Sequence, residues 1–365
     1  MSEHFRIAII GAGMAGASLA AETSVKDSVV LLEAEDRPGY HATGRSAAFW
    51  TESYGGPLIQ PLTSASGSFL RDGGFLKDRG GLTMARSDQE EALEEFVHEF
   101  STAGVQIEWL TRAQMEKLVP GLKSQWKYAA YERDCSDIDV GALHQHYLKQ
   151  AKEQGTELHC QSQVSSITRT SRGWALETLG GERFTCEVLV NAAGAWADKV
   201  AGLAGITPIG ITPLRRTMVQ LSVDPAPSPD LPLTFDLDGL FYFKPENGSL
   251  WLSPHDETPS EPTDAAAEEM DVAIAIDRLE QAVDWTVERV EHRWAGLRSF
   301  TKDRLPVYGF DPEDSAFFWF AGQGGFGIQT APAAARLGGQ LIQGRSRDHM
   351  TRNLAPDLYS PQRFR

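Results

Sequence analysis

Cysteine is scarce. The 365 residues contain three, Cys135, Cys160 and Cys186, with no CxxC pair. That excludes a disulfide framework and a structural zinc site of the usual spacing, and fits a reducing compartment. Basic residues are also in deficit, with 34 Lys+Arg against 50 Asp+Glu and a formal net charge of -16. Nucleic-acid binding needs concentrated positive charge, so this balance argues against it. No apolar run approaches the roughly 20 residues that span a bilayer. The start, MSEHFRIAIIGAG, carries no signal-like region. The expected location is the cytoplasm, with peripheral attachment at the inner membrane left open. What is present is ordinary soluble globular composition, 41% apolar and 23% charged, in a chain long enough to predict two domains.

The segment Phe5 to Ile10, FRIAII, is a short apolar run that suits a buried parallel strand. It leads directly into Gly11, Gly13 and Gly16 in G-x-G-x-x-G spacing, then a helix-like stretch, then SVVLLE ending in Glu33. A lone glycine fingerprint is weak, but a strand before it, a helix after it and an acid closing the next strand are the context that gives it meaning. Gly11 permits the tight turn, Gly13 admits a pyrophosphate close to the backbone, and Gly16 lets helix and strand pack closely. The helix N-terminus favours phosphate, and Glu33 suits a ribose diol. A dinucleotide is expected here. FAD and NAD share the ADP half, so the fingerprint leaves that choice open.

Further along, amphipathic helices are predicted in Pro57 to Leu70, in Asp88 to Phe100 and after Asp139, a plausible N-cap. His144 and His146 are two apart and read as packing or surface residues, not a metal pair. The strand Val188 to Val190 runs into Asn191, Ala192, Ala193 and Gly194, small residues at the strand end where open α/β sheets bind ligands. From about Pro213 to Trp294 the pattern predicts short strands and one helix, with DPAPSPDLP and PHDETPSEPTD as exposed loops. The last apolar strand, glycine turn and helix return to the style of the first unit. The expected fold is α/β: a Rossmann-type dinucleotide domain of residues 1–80, 140–212 and 296–365. A discontinuous α+β substrate domain of 81–139 and 213–295, built on an antiparallel sheet, is inserted in it.

IIGAGMAGAS, LLEAEDRPGYHATGRSAAFWTESYG, VLVNAAGAWAD, FYFKP, WAGLRSF and AGQGGFGIQT, in this order, resemble the FAD-dependent D-amino acid oxidase superfamily across nearly the whole chain. Within it, they are most similar to the D-arginine dehydrogenase and D-amino acid dehydrogenase group. The resemblance implies the glutathione-reductase-like FAD fold of that family and FAD as cofactor. Besides the fingerprint glycines it implies cofactor contacts from Met14, Ala15, Glu33, Ala34, His41, Val164, Ala192, Ala193, Gly194 and Trp196. Thr43, Gly44, Arg45, Ser46 and Ala47 would pack on the pyrophosphate and ring, with Arg45 offsetting diphosphate charge. Gly324, Gly325, Phe326, Gly327 and Ile328 would place a helix N-terminus at the ring, with Gln329 one turn into that helix.

The same resemblance implies that Arg216, Tyr242 and Arg298 grip the substrate carboxylate, since a guanidinium is a planar two-pronged donor. Arg215 beside Arg216 leaves the reverse assignment open. Tyr54 matches a tyrosine on a mobile loop, and Gly325 a carbonyl that holds the substrate amine. The matching departs from the D-arginine group at Thr83, where an acid would pair a distal guanidinium, and at Phe49, where a histidine stands. Phe49, Trp50 and Met84 would make a more apolar pocket, with Glu52 the nearby acid able to restore binding of basic side chains. His41 in HATG also resembles a covalent flavin attachment of dimethylglycine-dehydrogenase-like relatives; noncovalent FAD is the expectation.

The reaction implied is oxidation of neutral D-amino acids to 2-oxo acids and ammonia, with hydride passing from Cα to flavin N5. The electron acceptor is left open between a quinone, a carrier protein and O2. Competing readings are oxidation of a 2-hydroxy acid or an N-methyl amino acid on the same fold, a nicotinamide-dependent dehydrogenase, and a noncatalytic FAD-binding subunit.

Overall fold

The computed structural model describes residues 3–364. The first strand, Glu3–Ile10, lies between Arg183–Asn191 and Val29–Leu32, parallel to both. Glu157–His159 extends this sheet parallel at one side, and Phe317–Ala321 pairs parallel with Arg183–Asn191. Its central strands read as nearly continuous apolar runs because both faces are covered. On one face the helices Met14–Thr23, Val140–Glu153 and Ala331–Gln343 pack together, with Ala17, Leu143, Tyr147 and Leu337 buried among them. The same sheet continues from Arg183–Asn191 into the antiparallel strands Gly173–Thr178 and Val164–Thr170, and these with the helix Ala197–Leu203 cover the other face over Trp174, Leu189 and Trp319. Asp139 caps Val140–Glu153 by accepting the Ala142 amide at 2.8 Å.

A second sheet has nine strands, mostly antiparallel, drawn from residues 81–132 and 212–300. The helix Glu269–Ala282 lays Val272, Ala275 and Leu279 against Val219, Leu221 and Leu252 of this sheet. Two of its strands correct the expectation of short elements. Thr212–Asp224 and Thr286–Phe300 are long and pair antiparallel throughout, with register shifts between Gln220 and Leu221 and between Ser222 and Val223. The first half of Thr286–Phe300, TVERVEHR, is largely exposed and charged, so no apolar alternation announces it. A small third sheet joins Phe49–Trp50, Ser136–Ile138 and Leu76–Asp78. No helix among the described residues is long and apolar enough to cross a membrane.

Candidate active site

A cavity of about 810 Å3 runs from the carboxyl ends of the parallel strands to the face of the second sheet. At its first end the glycine turn is held by backbone contact. Gly11 has φ +101°, and a Cβ there would lie 2.5 Å from the Ala192 carbonyl oxygen. A Cβ on Gly16 would lie 1.8 Å from the Gly11 carbonyl oxygen, so Gly16 fixes helix against turn without reaching the cavity. Gly13, Met14 and Ala15 line the cavity, and the Met14 amide donates to Thr43 Oγ1 at 2.9 Å. Buried Glu33 accepts from the Ala12 amide at 2.9 Å and the Glu35 amide at 3.0 Å, and faces the cavity beside Ala34. The cradle that side chains would fill and a fixed carboxylate beside it fit the ADP half of FAD.

Val164, Ala192, Ala193, Gly194 and Trp196 line the adjoining wall. His41 does too, its Nε2 2.8 Å from Glu35 Oε1 and its ring 4.7 Å from that of Trp196. Thr43, Ser46 and Ala47 line the cavity, whereas Gly44 turns back on the Gly39 carbonyl, its amide 2.9 Å away. Arg45 lines the cavity but spends its donors elsewhere. Its Nη1 donates to the Ala265 and Ala295 carbonyls at 2.8 and 3.1 Å, and its Nη2 pairs with Asp264. That partner, which also accepts from Tyr40, has its carboxyl held below the usual range by the Arg45 bond. Arg45 therefore already has a counter-charge in Asp264 while lining the cavity where the resemblance sets a diphosphate. His144 is buried beneath the turn, its Nε2 donating to the Ala12 carbonyl at 2.9 Å. His146 packs on Phe69 and Phe75.

The other end of the cavity is built by the second sheet. Arg216 and Arg298 come from the paired long strands and Tyr242 from the strand Tyr242–Glu246. Arg298 Nη2 donates to Tyr54 Oη at 3.0 Å and Nη1 to Glu257 at 3.0 Å. Arg216 Nε donates to the Asp256 carbonyl at 2.8 Å, and its Nη1 is buried with no partner among the described residues. A buried, unspent guanidinium nitrogen beside a cavity is costly unless a ligand accepts from it. Of the two adjacent arginines, Arg215 instead faces the helix, paired with Glu268 and, at 2.9 Å, with Asp271. The Tyr242 hydroxyl donates to Met218 Sδ at 3.1 Å; burial raises its pKa, and Arg216 opposes that rise.

Phe49 reaches the cavity and touches Tyr54, Phe235 and Tyr242, with ring centroids 5.0, 5.7 and 5.8 Å apart. The other residues assigned to the pocket do not line it. Trp50 alternates to the opposite side, buried against Gly67 and donating to the Thr63 carbonyl at 3.2 Å. Met84 sits in the core between the second sheet and its helix. Thr83, on the opposite strand face, is paired with Phe235, whose ring packs on Phe49. Glu52 is turned to Ser64, and burial raises its carboxyl pKa.

Gly324, Gly325, Gly327, Ile328 and Gln329 line the cavity, and Phe326 packs behind Tyr54 at 5.4 Å. The helix that follows begins later than expected, at Ala331, because Pro332 favours the first turn. Gln329 is therefore not within it. Its buried side chain donates to the Tyr54 carbonyl at 3.2 Å and Thr63 Oγ1 at 2.9 Å.

Three neighbours of the site carry no sequence signal. Buried Glu132 accepts from Thr51 Oγ1 at 2.6 Å, Ser53 Oγ at 2.5 Å and the Glu52 amide at 2.6 Å, tying down the turn that carries Tyr54. His255, with φ +56°, donates from Nδ1 to the Gly239 carbonyl and packs edge-on to Tyr242 at 5.5 Å. Burial, Arg216 and Arg298 push its pKa down to about 3, so it is neutral. Glu257 is the third. His255 and Asp256 are partly buried, which corrects the reading of their segment as an exposed loop.

A parallel-sheet dinucleotide cradle whose cavity opens onto arginines of an antiparallel sheet defines a flavoprotein oxidoreductase. The chain belongs to the DAO family of FAD dependent oxidoreductases, whose model matches residues 6–341; its cofactor is FAD. Glycine oxidase of Geobacillus kaustophilus (strain HTA426) is 26% identical over 367 residues, covering 94% of each chain. The hydrogen cyanide synthase subunit HcnC of Pseudomonas aeruginosa is 24% identical over 280 residues, covering 73% of this chain and 64% of that protein. Among solved structures, glycine oxidase from Geobacillus kaustophilus superimposes with a TM-score of 0.85 at 23% identity, covering 98% of both chains. L-proline dehydrogenase from P. horikoshii does so with 0.85 at 21% identity, covering 100% of this chain and 98% of that one.

Proposed function

We propose that the protein oxidises small, neutral D-amino acids, with glycine as the limiting case, to 2-oxo acids and ammonia. FAD supplies the two-electron acceptor for the Cα hydride, and water hydrolyses the resulting imino acid. The chain's own residues orient the substrate. Arg216 Nη1, the free hydrogens of the Arg298 guanidinium and the Tyr242 hydroxyl, turned away from Met218 Sδ, would hold the carboxylate, which directs Cα toward the rest of the cavity. Tyr54, braced on Arg298, closes the outer side.

The observation that carries the neutral preference is the position of negative charge. The carboxylates lining the cavity are Glu33 and Glu35, both at the ADP end. Glu257 near the arginines is already bonded to them. A substrate guanidinium or ammonium therefore meets no carboxylate on this part of the cavity wall, the single Glu257 charge is outnumbered by the arginines it bridges, and the rings of Phe49, Tyr54 and Tyr242 limit side-chain length. An N-methyl glycine uses the same carboxylate grip, and the similarity to glycine oxidases favours this as a second reading.

Anaerobic reduction of the bound flavin by D- and L-amino acids, sarcosine and 2-hydroxy acids tests it. D-Alanine and glycine should bleach the band, with D-arginine at least about 10-fold slower, the worth of one missing charge-assisted bond. Preference for D-arginine would sink the neutral assignment, and bleaching by hydroxy acids alone would sink the amine reading.

A further inference from the structure

A single oxygen of Glu257 serves three arginines. Oε1 lies 3.3 Å from Arg216 Nη2, 3.0 Å from Arg298 Nη1 and 2.7 Å from Arg304 Nη2. The first two arginines line the cavity; Arg304 is half exposed and lies over the Phe300 ring at 4.0 Å. Glu257 is held in place from both sides. Asp256 before it accepts from the Thr217 amide at 2.7 Å and Thr217 Oγ1 at 3.0 Å. Thr258 after it pairs in register with Arg215. The side chain itself is 32% exposed, so it stands at the outer rim of the arginine cluster.

Three cations brought to one point need an anion, and here the chain supplies it. We propose that Glu257 is a built-in carboxylate that sets the charge selectivity of the substrate site, admitting monocarboxylates and weakening dicarboxylates such as acidic amino acids. This rests on the reading that Arg216 and Arg298 receive a substrate carboxylate. A fixed negative charge at the rim repels every anionic ligand in proportion to the ligand's charge, so a dianion is disfavoured by about the square of the factor for a monoanion. Arg304 has no lining position of its own, and with Glu257 neutralised it would be released to meet a second carboxylate. Burial tends to raise the Glu257 carboxyl's pKa, but Arg304, Arg298 and Arg216 outweigh that and hold it below the usual range. The selectivity therefore persists at neutral pH.

The test is ligand binding to the FAD-loaded protein, read by calorimetry and by the flavin absorption band, with propionate and succinate as probes. Glu257→Gln keeps the shape and removes the charge. At an effective separation of several ångströms near the surface, propionate should bind about 3-fold more tightly and succinate about 10-fold. Adding Arg304→Gln should return succinate most of the way to its original affinity. Equal gains for the two probes, or weaker binding of both, would overturn the proposal and assign Glu257 to holding the arginines together. Absence of any carboxylate binding by the unaltered protein would overturn both this proposal and the carboxylate site beneath it.

Discussion

Gly325 lies against the Arg298 guanidinium: a Cβ on Gly325 would stand 2.0 Å from Nη2 and 2.3 Å from Nε. The atoms in the way are the far end of a side chain, so the fold can absorb a methyl group there, but only by moving Arg298 off Tyr54 and Glu257. Gly325→Ala should therefore retain FAD and thermal stability while losing affinity for the substrate carboxylate. The expected result is a KM raised by about 10-fold or more, the scale of a displaced charge-assisted bond. Steady-state kinetics beside a flavin-to-protein ratio measures both at once.

Glu132 predicts a different kind of loss. Its carboxylate accepts from four groups of the turn before Tyr54, the Ser53 amide among them at 3.3 Å, so the turn is clamped rather than free. Glu132→Gln turns one acceptor into a donor facing donors, a cost of about 1.5–3 kcal/mol. Thermal unfolding should shift down, and kcat/KM should fall several-fold, recoverable in part with Glu132→Asp. An unchanged melting curve would show that the turn does not depend on Glu132.

The buried neutral state of His255 gives a pH signature. Its pKa of about 3 in the folded protein lies below the ordinary value near 6.5 in an unfolded chain. Between those values the unfolded chain binds a proton that the folded one does not, so stability falls as pH falls through that window. The slope contributed is up to about 1.4 kcal/mol per pH unit. His255→Asn tolerates the positive φ and can still donate to Gly239, so it should flatten the slope between pH 6.5 and 4 relative to the unaltered protein. Denaturant titrations at several pH values measure the difference, and parallel curves would contradict it.

The fold and cofactor were legible because their signals are local. Gly11, Gly13 and Gly16 with Glu33 occupy one strand-turn-helix-strand unit, and Gly11 and Gly16 answer backbone contacts with Ala192 and with Gly11, while Gly13 faces the Thr43 hydroxyl. The carboxylate end was not legible from pattern. Arg216, Tyr242 and Arg298 stand in unremarkable strands and emerged only through resemblance. Within that frame adjacent positions were not separable: Phe49 reaches the cavity and Trp50 does not, because neighbours in a strand face opposite ways. The same alternation sends Met84 into the core. Glu132, His255 and Glu257 carried no signal because the partners that give them meaning are distant in sequence. Glu132 answers Thr51, and Glu257 answers Arg216 and Arg298. Gln329 precedes the helix its glycine turn announces, because Pro332 sets the helix start at Ala331.

The central claim is that a cationic, carboxylate-binding end of the cavity presents a small amino acid to FAD. Its most direct measurement is the rate of anaerobic flavin reduction by D-alanine compared with D-alaninamide, which has the same amine and Cα but no carboxylate. The account predicts rapid bleaching by D-alanine and a rate for the amide lower by about 100-fold, the scale of losing a doubly charge-assisted contact. Equal rates, or no bleaching by D-alanine, would contradict it.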